Sequence, residues 1–107
     1  MIVTLTENNF ADLLKSSQPV LLHFWSDFCG PCKVQSRVLE QLDEKYNEKI
    51  VLGEINSHNH TEWTEAFAVQ STPTILMFHR GKLLARLTGV HSVSKIEKII
   101  KKAGVLK

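Results

Sequence analysis

Residues 20–32 read VLLHFWSDFCGPC, an almost unbroken apolar run followed by two cysteines three positions apart. The apolar part, Val20–Trp25, has the length and composition of a central strand that is covered on both faces. Beyond Cys29, apolar residues recur at the spacing of a helix. The segment therefore predicts a buried strand, a short loop and a helix that begins near the first cysteine.

The rest of the chain alternates between strand and helix patterns. The predicted helix after Cys29 extends to about Lys49, and its apolar stripe is Val34, Val38, Leu42 and Tyr46, widened by Leu39. The other predicted strands are Ile2–Leu5, Ile50–Ile55, Ile75–Phe78 and Leu83–Leu87. A short helix is predicted after Thr6, which is its expected N-cap with Asn9 three residues later, and another helix is predicted at Thr61–Ala68. The last predicted helix is capped by Ser92 and ends near Gly104, and its apolar stripe is Val93, Ile96, Ile100 and Ala103.

This order, βαβαβα followed by ββα, predicts an α/β fold. Alternating strands and helices favour parallel strands, and the hairpin expected around Arg80-Gly81 adds antiparallel ones. We expect a mixed five-stranded sheet flanked by four helices, formed by residues 1–107 as a single domain. The length of 107 residues and the 43% hydrophobic content suit one domain with its own core.

Charge and hydropathy exclude several classes of function. The formal net charge is only +2, which argues against nucleic acid as a partner. Four lysines near the C-terminus are expected on the exposed face of the last helix: Lys95, Lys98, Lys101 and Lys102. The N-terminal residues have neither a basic start nor a long apolar run, and no segment reaches the roughly 20 apolar residues of a membrane span. We therefore expect a cytoplasmic protein without a membrane partner.

Cys29 and Cys32 are the only cysteines in the sequence. A structural disulfide between them would close a very small loop, so the pair favours a redox or metal site instead. A sulfur at the start of a helix meets unpaired N–H groups that favour the thiolate. Cys29 is then the exposed nucleophile, and Cys32, one turn later and more buried, resolves the mixed disulfide. Gly30 would permit a close approach, and Pro31 is tolerated in a first helical turn.

Zinc is the main alternative for this pair. Structural zinc takes four ligands, and the cysteines supply two, so His58 and His60 would have to supply the others. There is no second pair of cysteines, and the two histidines lack the usual spacing of a zinc finger. An iron–sulfur cluster shared between two chains is less favoured still. The sequence therefore favours thiol–disulfide chemistry.

Two segments resemble a known family. Trp25–Lys33, WSDFCGPCK, looks like the active-site segment of the thioredoxins, and Ser71–Thr74, STPT, resembles their loop with a cis-proline. Gly81 and Gly89 fall where thioredoxins have glycines in the hairpin and in a late loop. The resemblance extends over nearly the whole chain, and the set of motifs is far more specific than the two cysteines alone.

The resemblance implies a thioredoxin fold and the reduction of protein disulfides by a monomer with no bound cofactor. Electrons would come indirectly from NADPH through a thioredoxin reductase. Pro73 would be cis, and the backbone of Thr72 would pair with an extended segment of the substrate. The surface that docks the substrate would be formed by Trp25, Phe28, Gly30, Pro31, Thr72, Pro73 and Gly89.

Three positions depart from the family pattern. Phe28 replaces the usual tryptophan, which keeps an apolar side chain and loses an N–H donor. His23 stands in place of a buried aspartate, and Glu54 in place of a lysine. Our hypothesis is that His23 accepts the proton of Cys32 while Glu54 orients it, the alternative being a histidine that only packs. Arg37 replaces a proline that kinks the helix, so a straighter helix is expected.

These departures keep other functions open. A specialised thioredoxin-like oxidoreductase with an altered redox poise or one dedicated substrate is the first alternative. A binding subunit without catalysis is the second, although binding alone does not need a resolving thiol. Of the remaining candidates, His79 and His91 are expected to be exposed near turns, and Trp63 to pack on its helix.

Overall fold

Strand β2 (Val20–Trp25) lies in the middle of a five-stranded sheet, as its apolar run predicts. The computed structural model describes residues 2–106. The other strands are β1 (Ile2–Thr4), β3 (Val51–Asn56), β4 (Thr74–His79) and β5 (Lys82–Thr88). The helices are α1 (Phe10–Leu14), α2 (Gly30–Tyr46), α3 (Thr61–Ala66) and α4 (Val93–Ala103), with a 3₁₀ turn at Asn47–Lys49.

The sheet is mixed, in the order β1-β3-β2-β4-β5. Strands β1 and β2 both run parallel to β3, whereas β4 is antiparallel to β2 and to β5. The predicted mixed five-stranded sheet with four helices is thus confirmed for the described part of the chain. The carboxyl end of β2 and the start of β4 lie side by side, because Phe24 pairs with Thr74.

Each face of the sheet is covered by two helices. Residues that alternate along a strand point to opposite faces, so β2 sends Leu21 to one face and Leu22 to the other. The first face packs against α2 and α4, and the second against α1 and α3. Trp63 of α3 stacks on Phe10 of α1 with ring centroids 4.3 Å apart, which confirms its packing role. None of the helices within residues 2–106 combines the length and the apolar character needed to span a membrane.

The buried face of α2 differs from the predicted stripe. Val34 is 50% exposed, and the buried residues are Cys32, Gln35, Leu39 and Leu42. The face is therefore rotated by about one residue at its first turns. A glutamine tolerates this position because its amide is hydrogen-bonded inside the protein, which removes the penalty of burying it.

The start of α1 and the burial of Ala103 in α4 also differ from the predictions. Thr6 does not cap α1, which begins at Phe10; instead, the Asn9 side chain accepts a hydrogen bond from Thr6 N and donates one to Thr4 O. At the other end of the chain, Ser92 caps α4 by accepting from Lys95 N, as predicted. Ala103, however, is exposed.

Val105, beyond the end of α4, belongs to the core cluster to which Ala103 was predicted to contribute. The left-handed backbone at Gly104 ends α4 and turns the chain back toward the sheet. The four lysines expected on the solvent-exposed face of α4 are all exposed.

Candidate active site

Cys29 and Cys32 form a disulfide at the start of α2, just beyond the carboxyl end of β2. Cys29 is the N-cap of the helix, and its sulfur accepts a hydrogen bond from Cys32 N at 3.1 Å. This places Sγ of Cys29 at the positive end of the helix, where negative charge on the sulfur is stabilised. Cys29 is partly exposed and Cys32 is only 3% exposed, so a partner molecule reaches the first sulfur more easily.

Phe28 stands directly before the disulfide and projects fully into solvent, with 105% relative exposure and φ of 60°. Its ring therefore covers none of the protein's own core. A left-handed backbone is unusual for a bulky residue, and here it turns the side chain away from the body of the protein. The apolar cover expected from Phe28 is available to a docked partner only.

The loop before β4 approaches the disulfide from the other side. The Thr72–Pro73 peptide bond is cis, as the resemblance implied. Both O and Oγ1 of Thr72 lie 3.8 Å from Sγ of Cys29, and Oγ1 is hydrogen-bonded to Ser26 Oγ at 2.8 Å. Pro73 O accepts a hydrogen bond from Gly89 N at 2.9 Å, so the structure brings the cysteines, Thr72, Pro73 and Gly89 together.

His23 and Glu54 meet beneath this surface. They occupy paired positions on the parallel strands β2 and β3, and Nδ1 of His23 lies 2.8 Å from Oε2 of Glu54. His23 is completely buried, whereas the Glu54 side chain is 20% exposed. Strand alternation points both side chains to the face that carries Leu21 and is covered by α2.

The contact selects one tautomer of a neutral His23. An ionised carboxylate only accepts hydrogen bonds, so Nδ1–H of a neutral His23 donates to Glu54 and Nε2 keeps its lone pair. Within residues 2–106, Nε2 of His23 has no hydrogen-bond partner. A buried nitrogen with a free lone pair is suited to accept a proton.

An open groove of about 920 Å³ runs alongside the disulfide. It is lined by Thr4, Trp25, Ser26, Asp27, Phe28, both cysteines, Lys33, Ser36, Arg37, Glu40 and Glu54. The groove opens the Glu54 carboxylate to solvent and passes beside Cys32, which is only 3% exposed. The predicted residues Trp25 and Phe28 thus lie at its rim, and the charges on its walls are of both signs.

One expectation about this region, the role of Gly30, is changed by the structure. A Cβ added to Gly30 would meet nothing within 4 Å, so no close approach within the chain requires a glycine there. No three His, Cys, Asp or Glu side chains in the described range are grouped to hold a metal ion. His60 instead stacks on Trp63, with ring centroids 4.1 Å apart. Helix α2 runs from Gly30 to Tyr46 without a break at Arg37, and its straightness stays a prediction.

Gln35 is a residue of this region that the sequence did not single out. Its side chain is completely buried one turn after Cys32, and its amide pairs with the backbone of His91. His91 is only partly exposed, in contrast to the exposure expected for it. The spacing Cys32, Gln35, Leu39 and Leu42 is the signal that could have identified the buried face.

Comparison with known proteins agrees with this geometry. The family model described as Thioredoxin matches residues 1–102. A protein named Thioredoxin from Alicyclobacillus acidocaldarius subsp. acidocaldarius is 33% identical over 89% of this chain and 90% of its own length. One of the same name from Buchnera aphidicola subsp. Acyrthosiphon pisum (strain APS) is 34% identical over 90% of this chain and 88% of its own length.

A longer relative covers part of the chain. A protein of Mycobacterium leprae (strain TN) named Bifunctional thioredoxin reductase/thioredoxin is 35% identical over 75% of this chain, a match that spans 18% of that protein.

Proposed function

Since the chain belongs to the thioredoxin family and is a thiol–disulfide oxidoreductase that reduces protein disulfides, we propose that Cys29 is its attacking thiol and Cys32 its resolving thiol. One observation carries this assignment: Cys29 caps α2 through its sulfur and is partly exposed, whereas Cys32, in the first turn of α2, is only 3% exposed. The accessible sulfur at the positive helix end is the better nucleophile.

The two sulfurs then act in sequence. The Cys29 thiolate attacks one sulfur of the substrate disulfide, forms a mixed disulfide and releases the other substrate sulfur as a thiolate. Cys32 loses its proton and attacks Sγ of Cys29, which releases the second substrate thiolate. Two electrons have passed to the substrate, and the protein is left with the Cys29–Cys32 disulfide that is seen in the structure.

His23 is proposed as the acceptor of the Cys32 proton. Its Nδ1–H is held by Glu54 at 2.8 Å, so Nε2 is the free basic nitrogen. His23 is completely buried on the face of the sheet that α2 covers, and Cys32 is only 3% exposed, so little water reaches its thiol. The exposed part of Glu54 opens into the groove, which gives the pair a route for releasing the proton to solvent.

The substrate is proposed to dock on the surface around Cys29. Trp25 and Phe28 offer aromatic surface on one side, and Thr72 and Gly89 lie on the other. Pro73 itself is buried and contributes by holding Gly89 through its carbonyl oxygen. Exposed Gly30 and Pro31 complete this surface at the start of α2. An extended substrate segment pairing with the Thr72 backbone would bring its disulfide to the Cys29 sulfur.

Electrons are proposed to return from NADPH through a thioredoxin reductase, with no cofactor bound by the chain itself. The name of the Mycobacterium leprae relative, which joins both activities in one protein, supports such a partner. We further propose that residues 1–107 act as a single monomeric domain in the cytoplasm, a compartment that supplies reducing equivalents.

A specialised oxidoreductase with an altered redox poise is the second candidate. The buried His23–Glu54 pair favours it, because a charge or a proton near the sulfurs changes the relative stability of the dithiol and the disulfide. Titration against a redox couple of known potential separates the two candidates. A potential far more oxidising than about −270 mV would contradict the general reductase.

Coupled turnover tests the proposed function. The protein is mixed with NADPH, a thioredoxin reductase and a protein disulfide such as that of insulin, and NADPH consumption is followed. Oxidation of NADPH that requires both the protein and the disulfide is expected. Loss of this turnover in Cys29→Ser is expected as well, and turnover unchanged by that substitution would contradict the assignment.

A further inference from the structure

A closed chain of contacts surrounds the disulfide. Sγ of Cys29 lies 3.8 Å from Thr72 O, and the next residue, Pro73, accepts a hydrogen bond from Gly89 N at 2.9 Å. The loop that begins at Gly89 then continues to His91, which is bonded to Gln35 of α2. Gln35 lies one turn after Cys32, so the chain of contacts returns to the cysteines.

The link through Gln35 is made at two points. Its Nε2 donates to His91 O at 3.0 Å, and its Oε1 accepts from His91 N at 2.7 Å. One side-chain amide thus satisfies both backbone groups of one residue, as a neighbouring strand would. Gln35 is completely buried, so the amide cannot exchange these bonds for bonds to water.

The loop held by Gln35 carries part of the docking surface. Gly89 has φ of +84°, and its O accepts a hydrogen bond from Nδ1 of His91 at 2.9 Å, so the loop is tied to itself as well as to α2. Between these two residues, Val90 is 44% exposed. The position of Gly89 and Val90 relative to Cys29 is therefore held from two sides, by the Pro73–Gly89 hydrogen bond and by the Gln35 amide.

We propose that Gln35 is a positioning residue for protein substrates: it holds the Gly89–His91 loop at the distance from Cys29 that a docked polypeptide requires. The inference rests on the proposed function, because it concerns the docking step of that reaction. Gln35 touches neither sulfur nor substrate. Its loss should weaken the docking of a protein disulfide and leave the chemistry at Cys29 unchanged.

The test compares Gln35→Met with the wild type. Methionine keeps the length and volume of the side chain and loses both hydrogen bonds. Pre-reduced protein is mixed with increasing insulin under single-turnover conditions, and separately with the small disulfide 5,5′-dithiobis(2-nitrobenzoate). We expect about a tenfold rise in the half-saturating insulin concentration, an unchanged limiting rate, and an unchanged rate with the small disulfide.

Two further variants make the test specific to the Gln35 amide. Gln41→Met, at an exposed position of the same helix, is the matched control and should behave as the wild type. Gln35→Glu keeps an acceptor for His91 N and loses the donor, so hydrogen exchange at the His91 amide should be faster than in the wild type and slower than in Gln35→Met. The comparison of Gln35→Glu with the wild type still reports on the loop if Gln35→Met folds poorly.

The outcomes separate the two proposals. If the wild type reduces both disulfides and Gln35→Met has the same half-saturating insulin concentration, the positioning role is wrong. A Gln35→Met variant that is slowed equally toward both disulfides would also contradict it, since that result indicates a change at Cys29 itself. If the wild type reduces neither disulfide, the proposed function fails instead.

Discussion

Nδ1 of His23 lies 2.8 Å from Oε2 of Glu54, and the two residues occupy paired positions on adjacent parallel strands beneath the active-site helix. The imidazole is completely buried, and the carboxylate reaches the groove beside the disulfide. The pair therefore connects the interior next to α2 with solvent. Its geometry is that of a base oriented by a carboxylate, which leads to the first prediction.

Replacing His23 by alanine should slow the resolving step on the order of 10²-fold, the usual contribution of a positioned base. The rate of substrate release from the mixed disulfide is measured from pH 5 to pH 10 by rapid acid quenching. In His23→Ala the rate should depend more steeply on hydroxide concentration, because solvent must take the Cys32 proton.

Glu54→Gln should have an intermediate effect on the same step, since the amide can still orient the ring without stabilising its charge. Glu40→Gln is the matched control, an exposed carboxylate on the wall of the same groove. A pH–rate profile of His23→Ala with the shape and height of the wild-type profile would mean that His23 only packs.

Phe28 should matter for docking and hardly at all for stability. Its side chain is 105% exposed, so Phe28→Ala removes no buried contact and should change the free energy of unfolding by less than about 0.5 kcal/mol. The half-saturating concentration of a protein disulfide should rise about fivefold, because an aromatic anchor is lost.

Leu83→Ala is the control for Phe28. Leu83 is 43% exposed and pairs with Phe78, at the end of the sheet opposite to the disulfide. Kinetics and urea unfolding are measured for both variants. If Phe28→Ala docks insulin as well as Leu83→Ala does, Phe28 is not part of the docking surface.

Two glycines should respond differently to alanine. A Cβ at Gly53 would lie 3.0 Å from Leu22 Cδ2 and 3.2 Å from Leu5 Cγ, both in the packed core. Gly53→Ala should therefore destabilise the oxidised protein by about 1–3 kcal/mol. At Gly30 the same atom meets nothing within 4 Å, and alanine in the first turn of a helix should be neutral or stabilising by up to about 1 kcal/mol. Urea unfolding that ranks the two variants in the opposite order would contradict the packing described around Gly53.

Glu97 should make stability depend on pH. It joins α4 to α2 by accepting a hydrogen bond from Tyr46 and pairing with Lys45, whose Nζ lies 2.7 Å away. The hydrogen bond from Lys45, followed by that from Tyr46, lowers the pKa of Glu97 below its ordinary value of 4.5. A carboxyl group with a lowered pKa stabilises the fold above its ordinary pKa and loses this effect as the pH falls.

Glu97→Gln should therefore unfold at a lower temperature than the wild type at pH 7, and the difference should shrink below pH 4.5. Glu44→Gln, an exposed carboxylate on α2, is the control and should show little difference at either pH. Thermal unfolding of the oxidised proteins gives the measurement. A constant difference between Glu97→Gln and the wild type from pH 3 to pH 7 would contradict this effect.

Much of the fold could be predicted because the decisive segments are locally unambiguous. Val20–Trp25 is apolar enough to be a central strand, and Ser92 and Gly104 are strong signals for the two ends of a helix. The position of the disulfide at the start of α2 followed from the apolar run that ends at Trp25 and from the helical spacing that begins near Cys29.

Long-range polar contacts could not be predicted in the same way. Gln35 is buried because the backbone of His91, 56 residues away, satisfies its amide. A buried face predicted from apolar residues alone omits Gln35 and includes Val34, which is exposed. His23 and Glu54 were predicted to meet because together they exchange the signs of the family's acid–base pair on neighbouring strands, and their contact is confirmed. Their role in proton transfer stays a prediction.

The most direct measurement is to trap the mixed disulfide. Reduced Cys32→Ser is mixed with a protein disulfide, and the products are identified by mass spectrometry after acid quenching. We expect a stable covalent adduct through Cys29 that dithiothreitol releases, and no adduct with Cys29→Ser. An adduct formed through Cys32, or a Cys29→Ser protein that reduces the substrate at the wild-type rate, would contradict the assignment of Cys29 as nucleophile and Cys32 as resolving thiol.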